Sequence, residues 1–181
     1  MTQTSSPEPT RSTTPEGLRP IVFFTIVLLV FVGDQVSKLW IVKTLIEGQP
    51  RPIFGNAFRL TLTHNTGGAW GLLPQGNGVF MVFAAVAIIA LLLAYQRVGR
   101  LDLPVGSAFA LALGGALGNL LDRVRLGYVV DFFDAQIIKW PIFNVADSAI
   151  TLSILLLVWH FFRAPQTASV REASTPQNAS P

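Results

Sequence analysis

No cysteine occurs anywhere in the 181 residues of this chain, which removes disulfides, thiolate metal sites and a thiol nucleophile together. The same absence says nothing of compartment, because a thiol-free chain suits either side of a membrane. Histidine is nearly as scarce, with only His64 and His160. Without an HExxH or any paired histidine, no metal site is expected. His64 is accompanied by no GxSxG elbow, so a serine nucleophile lacks support, and His160, near the far end of an apolar segment, reads as interfacial. Charge is thin as well: 13% of residues are charged, against roughly 25% in ordinary soluble domains. The 13 Lys and Arg are scattered, with no basic run and no interleaved aromatic platform. The formal charge of +3 therefore does not point to nucleic acid.

Apolar surface is what the chain has in quantity, with 51% hydrophobic residues and a mean hydropathy of +0.52. One water-soluble core on so short a chain cannot absorb it, and the composition indicates a membrane protein. Four apolar segments run from Pro20 to Val42, Gly78 to Tyr95, Val105 to Leu121 and Val145 to Phe162. Each approaches the roughly 20 helical residues that cross ~30 Å of hydrocarbon. The first lacks a small-residue cleavage site and continues its helical pattern through Asp34 and Lys38 to Trp40, so it reads as a retained span. Residues 1–19 and 164–181 are rich in Ser, Thr, Pro and other polar residues and are expected as disordered tails around a membrane domain at 20–163.

The connections are unequal. A tight polar turn, Gln96 to Pro104, joins spans two and three, whereas spans one and two are widely separated. That first long connection contains Arg59–Thr63, whose RLTLT alternation predicts a short strand. Asp122 to Asn144 separate spans three and four. Four crossings put both long connections on one membrane face and both tails on the other. Lys and Arg bias leaves the orientation open. Arg11, Arg19, Arg97, Arg100, Arg163 and Arg171 on the tail side face Lys43, Arg51, Arg59, Arg123, Arg125 and Lys139 on the other.

The polar residues nevertheless gather on one face. Asp34 and Lys38 share a helix face toward the end of span one. The block HNTGGAWGLL (His64–Leu73) lies in the first long connection, and Asn119, Asp122 and Arg123 close span three. Asp131 follows in YVVDFFD, while Asn144 and Asp147 open span four in FNVADSAI. Ionisable groups at membrane depth are costly and call for a reason. For Asp34/Lys38 and Asp122/Arg123, interfacial pairing that ties helix ends together would suffice. Asp134 suits a surface loop, and Gly114 and Gly118 form a GxxxG spacing, a close-packing device.

Asp131 is different, since no residue within three positions offers a positive charge. Asp147 stands at the start of a helix, where an anion is favoured, either as a plain N-cap or in a chemical role. If folding unites the two, Asp147 ionises readily and Asp131, among aromatics, keeps its proton. A two-carboxylate peptidase requires that asymmetry. A transporter with a buried Asp/Arg relay is the alternative, but it predicts ionisable groups spread across the bilayer rather than at one end.

The blocks DQVSK (Asp34–Lys38), HNTGGAWGLL, GGALGNLLDRVRLGYVVDFFD (Gly114–Asp134) and FNVADSAI (Phe143–Ile150) resemble the lipoprotein signal peptidase family, in order and spacing, over about residues 20–162. The resemblance implies an all-α membrane protein, with four transmembrane helices and a small β-element on the outer face. It implies an aspartyl endopeptidase of the bacterial inner membrane, with both termini cytoplasmic and the site at the outer face. Its substrate would be a diacylglyceryl-modified prolipoprotein, cut just before the lipidated cysteine, and its other partner membrane lipid. No cofactor, no metal and no nucleic acid are implied, and a monomer is expected. Asp131 and Asp147 match the catalytic positions. Asp34, Lys38, Asn65, Asn119, Arg123 and Asn144 match positions that line or support the substrate pocket, with Asp122, Gly114 and Gly118 structural. Gly68 and Trp70 depart from the family's usual Ala and Phe, which bears on local packing of the pocket loop. The connection from Asp131 to Asp147 is short for the family, so a smaller flap is expected.

Overall fold

The computed structural model describes residues 17–67, 76–98, 101–138 and 140–163. The rest of the two tails, Gly68, Trp70 and most of the HNTGGAWGLL block lie outside the described residues. Among the described residues there are four long helices: α1 (Pro20–Thr44), α2 (Asn77–Val98), α3 (Leu103–Leu126) and α4 (Val145–Arg163). Each is long and apolar enough to cross a bilayer, as the four hydrophobic segments predict. They carry exposed side chains such as Leu28, Leu29, Val82, Phe83, Leu152 and Leu155, which in a bilayer face acyl chains rather than water. The fold is that of a four-span helical membrane protein with a small sheet.

Helix α3 is the hub, in contact with α1, α2 and α4. Half of its apolar window is buried, against none of the α2 window. Small residues make this possible. A Cβ on Gly114 would lie 2.8 Å from the Val27 carbonyl of α1, and one on Gly118 would lie 2.5 Å from Asp34 Oδ2. A Cβ on Gly115, on the other side, would lie 2.5 Å from the Ala146 carbonyl of α4. Backbones at such range gain dispersion where lipid supplies no hydrophobic drive. Gly115→Ala therefore displaces the first turn of α4 and is expected to cost about 1–3 kcal/mol, despite the better helix propensity of alanine. A thermal midpoint in detergent at or above that of the unaltered protein would contradict this.

Helix ends differ from the expected bounds for local reasons. Residues 17–19, assigned to the tail by composition, belong with the helices: Leu18 is buried, donates its N–H to the Leu101 carbonyl at 2.8 Å and packs in the core with Phe23 and Leu113. Helix α3 runs past Leu121 through its charged end and stops at Gly127, whose φ of +83° is a left-handed cap, its N–H bonded to the Arg123 carbonyl at 3.1 Å.

A small sheet packs against α1 and α3. Strands β1 (Arg51–Phe54), β2 (Phe58–Asn65) and β3 (Val129–Ala135) form an antiparallel sheet in the order β1-β2-β3. The RLTLT alternation marked β2, but β3 went unread because its run VVDFFDA is buried on both faces and lacks alternation. Val130 and Phe132 pack with Ile41, Leu60 and Leu62 in a second core beneath the sheet. A short 3₁₀ turn, Gln136–Ile138, follows β3.

Candidate active site

Helix α4 begins with a reciprocal cap. Asn144 is the N-cap: its Oδ1 accepts the Asp147 N–H at 2.9 Å, and Asp147 Oδ2 accepts the Asn144 N–H at 3.2 Å. The arrangement is the logic of a capping box, with Asp147 on the third helical position instead of the cap itself. Asp147 Oδ1 remains available and accepts Asn119 Nδ2 from α3 at 2.8 Å.

Strand β3 delivers the other carboxylate. Strand alternation turns Val130 and Phe132 into the lower core and Asp131 to the opposite face, toward α4. Asp131 is 1% exposed. Its Oδ2 accepts Asn65 Nδ2 from β2 at 2.8 Å, and its Oδ1 accepts Asn144 Nδ2 at 2.7 Å. The Asn144 amide also reaches Asn119 Oδ1 at 3.1 Å. The amides of Asn65, Asn119 and Asn144 thus form one connected frame around both acids.

Burial, followed by repulsion from Asp147, pushes the Asp131 carboxyl up to about 7, against the opposing pull of the Asn65 and Asn144 amides and the Lys38 charge. The protonated form is favoured by the fold. Its contribution to stability is complete below the ordinary carboxyl value of about 3.9 and is lost as pH rises toward 7.

Asp131 and Asp147 line the same cavity of about 310 Å³, together with Asn65, Asn119, Arg123 and Phe80. The Arg123 guanidinium lies over the Phe80 ring at 5.3 Å from its centroid and donates to the Asn119 carbonyl at 3.4 Å. Trp140, Phe143, Asp147 and Thr151 also line a second, more apolar cavity of about 400 Å³, with Ile138, Leu152 and Leu155. A polar chamber and an apolar groove therefore meet at Asp147. Phe80, Trp140, Phe143, Ile150 and Thr151 were not singled out from the sequence, where nothing separates them from the other apolar residues and hydroxyls of the spans and loops.

Three of the expected pocket residues are not in the cavity wall, one of them the fully buried Asn144 that bonds Asp131 and caps Asp147. Asp34 and Lys38 do not line this cavity; they are 0% and 3% exposed and belong, with Asp122, to a buried ionic cluster behind it. Asp134, expected in a surface loop, is buried in β3 directly opposite Arg59. Arg59 pairs with it at 2.7 Å, and Thr61 and Gln136 donate to it as well. Although burial acts to raise its pKa, the hydrogen bonds from Gln136, Thr61 and Arg59 and the Arg59 charge prevail and hold the carboxyl below its ordinary value.

Four membrane-length helices and a sheltered, carboxylate-lined chamber at one end define a multi-pass membrane enzyme. A solved structure titled as a bacterial membrane enzyme superposes with a TM-score of 0.77 at 28% identity, covering 93% of this chain and 99% of that one. A second, similarly titled, gives 0.74 at 31% identity, over 83% of this chain and 98% of the other. Residues 26–163 match the family described as Signal peptidase (SPase) II. The chain belongs to the signal peptidase II family, which implies a protease. The lipoprotein signal peptidase of Moorella thermoacetica is 44% identical over 138 residues, 76% of this chain and 90% of that protein. That of Pseudomonas fluorescens is 41% identical over 150 residues, 77% of this chain and 86% of its own.

Proposed function

We propose that this chain is a lipoprotein signal peptidase working as an intramembrane aspartyl endopeptidase, with Asp131 and Asp147 as its catalytic pair. The observation that carries the reading is the shared cavity: two carboxylates from different elements, held by amides that bond one another, face one chamber. The ionised Asp147 takes a proton from a water that attacks the scissile carbonyl carbon. The protonated Asp131 gives its proton to the carbonyl oxygen. Collapse of the tetrahedral gem-diol breaks the C–N bond as Asp147 passes its proton to the departing nitrogen and Asp131 takes one back from a gem-diol hydroxyl, which restores both acids and leaves a new carboxylic acid and a new amino terminus. Pairing of one charged and one neutral acid is what the raised pKa of Asp131 supports. Asn65, Asn119 and Asn144 orient the acids, and Arg123, in the cavity wall, positions the substrate backbone.

The substrate of this reading is a diacylglyceryl-modified prolipoprotein, cleaved just before its lipidated cysteine. The apolar groove that opens beside Asp147 suits acyl chains approaching laterally from the bilayer. No metal or organic cofactor takes part. The enzyme would reside in the bacterial inner membrane with both termini cytoplasmic and the sheet on the outer side.

The test is incubation of purified protein in detergent with a prolipoprotein precursor, with and without the diacylglyceryl group, read by gel shift. Cleavage of the lipidated form alone is expected; equal cleavage of both, or of neither, would refute the substrate assignment. The pH profile of kcat/KM is expected to fall on the alkaline side with a midpoint near the Asp131 value of about 7, because the general acid is lost as pH rises. A flat profile through pH 7 to 9 would remove Asp131 from that role.

A further inference from the structure

Behind the active-site cavity lies a buried ionic cluster that the hydrolytic steps do not use. The Lys38 ammonium has three N–H donors, and all three are engaged: Asp34 Oδ2 at 2.7 Å, Asp122 Oδ2 at 2.9 Å and Asn119 Oδ1 at 3.0 Å. Asp34 and Asp122 are 0% and 4% exposed. Gln35 ties the same group together, donating to Asp122 Oδ1 at 3.0 Å and to Asp34 Oδ2 and the Gly118 carbonyl at 3.2 Å each.

Each carboxylate has one further bond. Asp34 Oδ1 accepts the backbone N–H of Ala146 at 2.9 Å, and Asp122 Oδ2 accepts the backbone N–H of Val130 at 3.2 Å. Ala146 immediately precedes Asp147, and Val130 immediately precedes Asp131. The third arm of Lys38 leads through Asn119, whose amide donates to Asp147 Oδ1 at 2.8 Å. A single cation on α1 is thereby connected to the backbone ahead of both acids and to one of their side chains. Buried ion pairs roughly break even against apolar packing, so the cluster is poorly explained as a source of stability alone.

We propose that Lys38, Asp34 and Asp122 are positioning residues, a brace that fixes the spacing of the Asp131 and Asp147 carboxylates by tethering the backbone N–H of the residue ahead of each. The proposal rests on those two aspartates being the catalytic pair. It assigns Asp34 and Lys38 a role distinct from contact with substrate. Misplacing a reacting group by about 1 Å costs on the order of 100-fold in rate, so a loosened tether is felt in kcat.

Asp122 is the useful handle, because its removal leaves Lys38 still neutralised by Asp34, whereas removal of Lys38 strands two buried carboxylates. Asp122→Ala, Asp122→Asn and Lys38→Arg should be purified in detergent, their folded fraction measured by gel filtration and thermal midpoint, and their kinetics on a diacylglyceryl-modified precursor recorded per folded molecule. In Asp122→Ala, kcat is expected to fall roughly 100-fold with KM within about threefold. Asp122→Asn, which keeps an oxygen for the Val130 N–H, is expected to recover to within about tenfold of the unaltered enzyme. Lys38→Arg keeps the charge but replaces three convergent donors with a planar fork, and should lower kcat like Asp122→Ala. Should Asp122→Ala fail to fold, the other two variants decide. Unchanged kcat per folded molecule with a lowered thermal midpoint would overturn the brace in favour of simple stabilisation. Raised KM at constant kcat would overturn it in favour of substrate contact. The catalytic-pair reading fails separately, if an Asn variant of Asp131 or Asp147 retains turnover.

Discussion

Asp131→Asn and Asp147→Asn are each expected to lower turnover of a lipidated precursor by about 10³-fold or more while the protein still folds and inserts. The argument for preserved folding is specific to this site. Asp131, with its pKa near 7, is about half protonated at neutral pH, so a neutral amide of the same shape is electrostatically close to one of the two forms the fold already holds. An amide at 131 keeps one oxygen for either the Asn65 or the Asn144 donor but sets its nitrogen against the other. At 147 the donors are Asn119 Nδ2 and the Asn144 N–H. Each replacement therefore costs about 1–3 kcal/mol for one unmatched buried group, and gel filtration in detergent should still return a monodisperse peak. What is lost is the proton transfer itself, which an amide cannot perform. Processing within tenfold of the unaltered protein by either variant would exclude that residue from catalysis.

Asn144→Ala is expected to have the second largest effect, on both rate and stability. Asn144 is 0% exposed. It donates to Asp131 Oδ1, caps the Asp147 N–H and supports Asn119 Oδ1 through one side chain. Alanine removes the N-cap of α4, worth about 1 kcal/mol, and leaves Asp131 without one of its two amide donors, worth a further ~1–3 kcal/mol. With each acid held by one side-chain amide only, Asn65 on Asp131 and Asn119 on Asp147, kcat should fall by about 10²-fold or more. Thermal unfolding in detergent, paired with turnover per folded molecule, separates the two effects. Loss of stability with full residual activity would show that Asn144 caps the helix and does nothing for the acids.

Much of this architecture is written in local chemistry. Apolar runs long enough to cross a bilayer define spans whatever surrounds them, and all four helices fall where those runs do. Arg59–Thr63 alternates because Leu60 and Leu62 pack in the apolar core while Thr61, buried between them in sequence, bonds the Asp134 carboxylate instead. Strand β1 was missed because it is four residues long, exposed throughout and interrupted by Pro52. Asp134 was misplaced for a related reason. Its cross-strand partner Arg59 is seventy-five positions away, and no local pattern announces a pairing at that distance.

The candidate site divides in the same way. That polar residues cluster at one end of the bundle follows from order along the chain, since successive crossings alternate direction. Which of them touch depends on packing. Gly114, Gly118 and Gly115 let α1 and α4 approach the α3 backbone closely, and only that approach brings Lys38 onto Asp122 and Asn119 onto Asp147. Sequence spacing placed Asp34 and Lys38 on a common helix face, but a face has no destination until a neighbouring helix supplies one.

The amino-acid order alone determined that this protein lives in a membrane, how many spans it has and that its polar residues gather at one end of them, because hydrocarbon thickness and the cost of buried charge act on each segment separately. The tertiary structure alone decided which polar groups meet in the chamber and which withdraw into the brace behind it. Those choices depend on contacts between segments remote in the chain, whose geometry arises only when the helices and the sheet have packed.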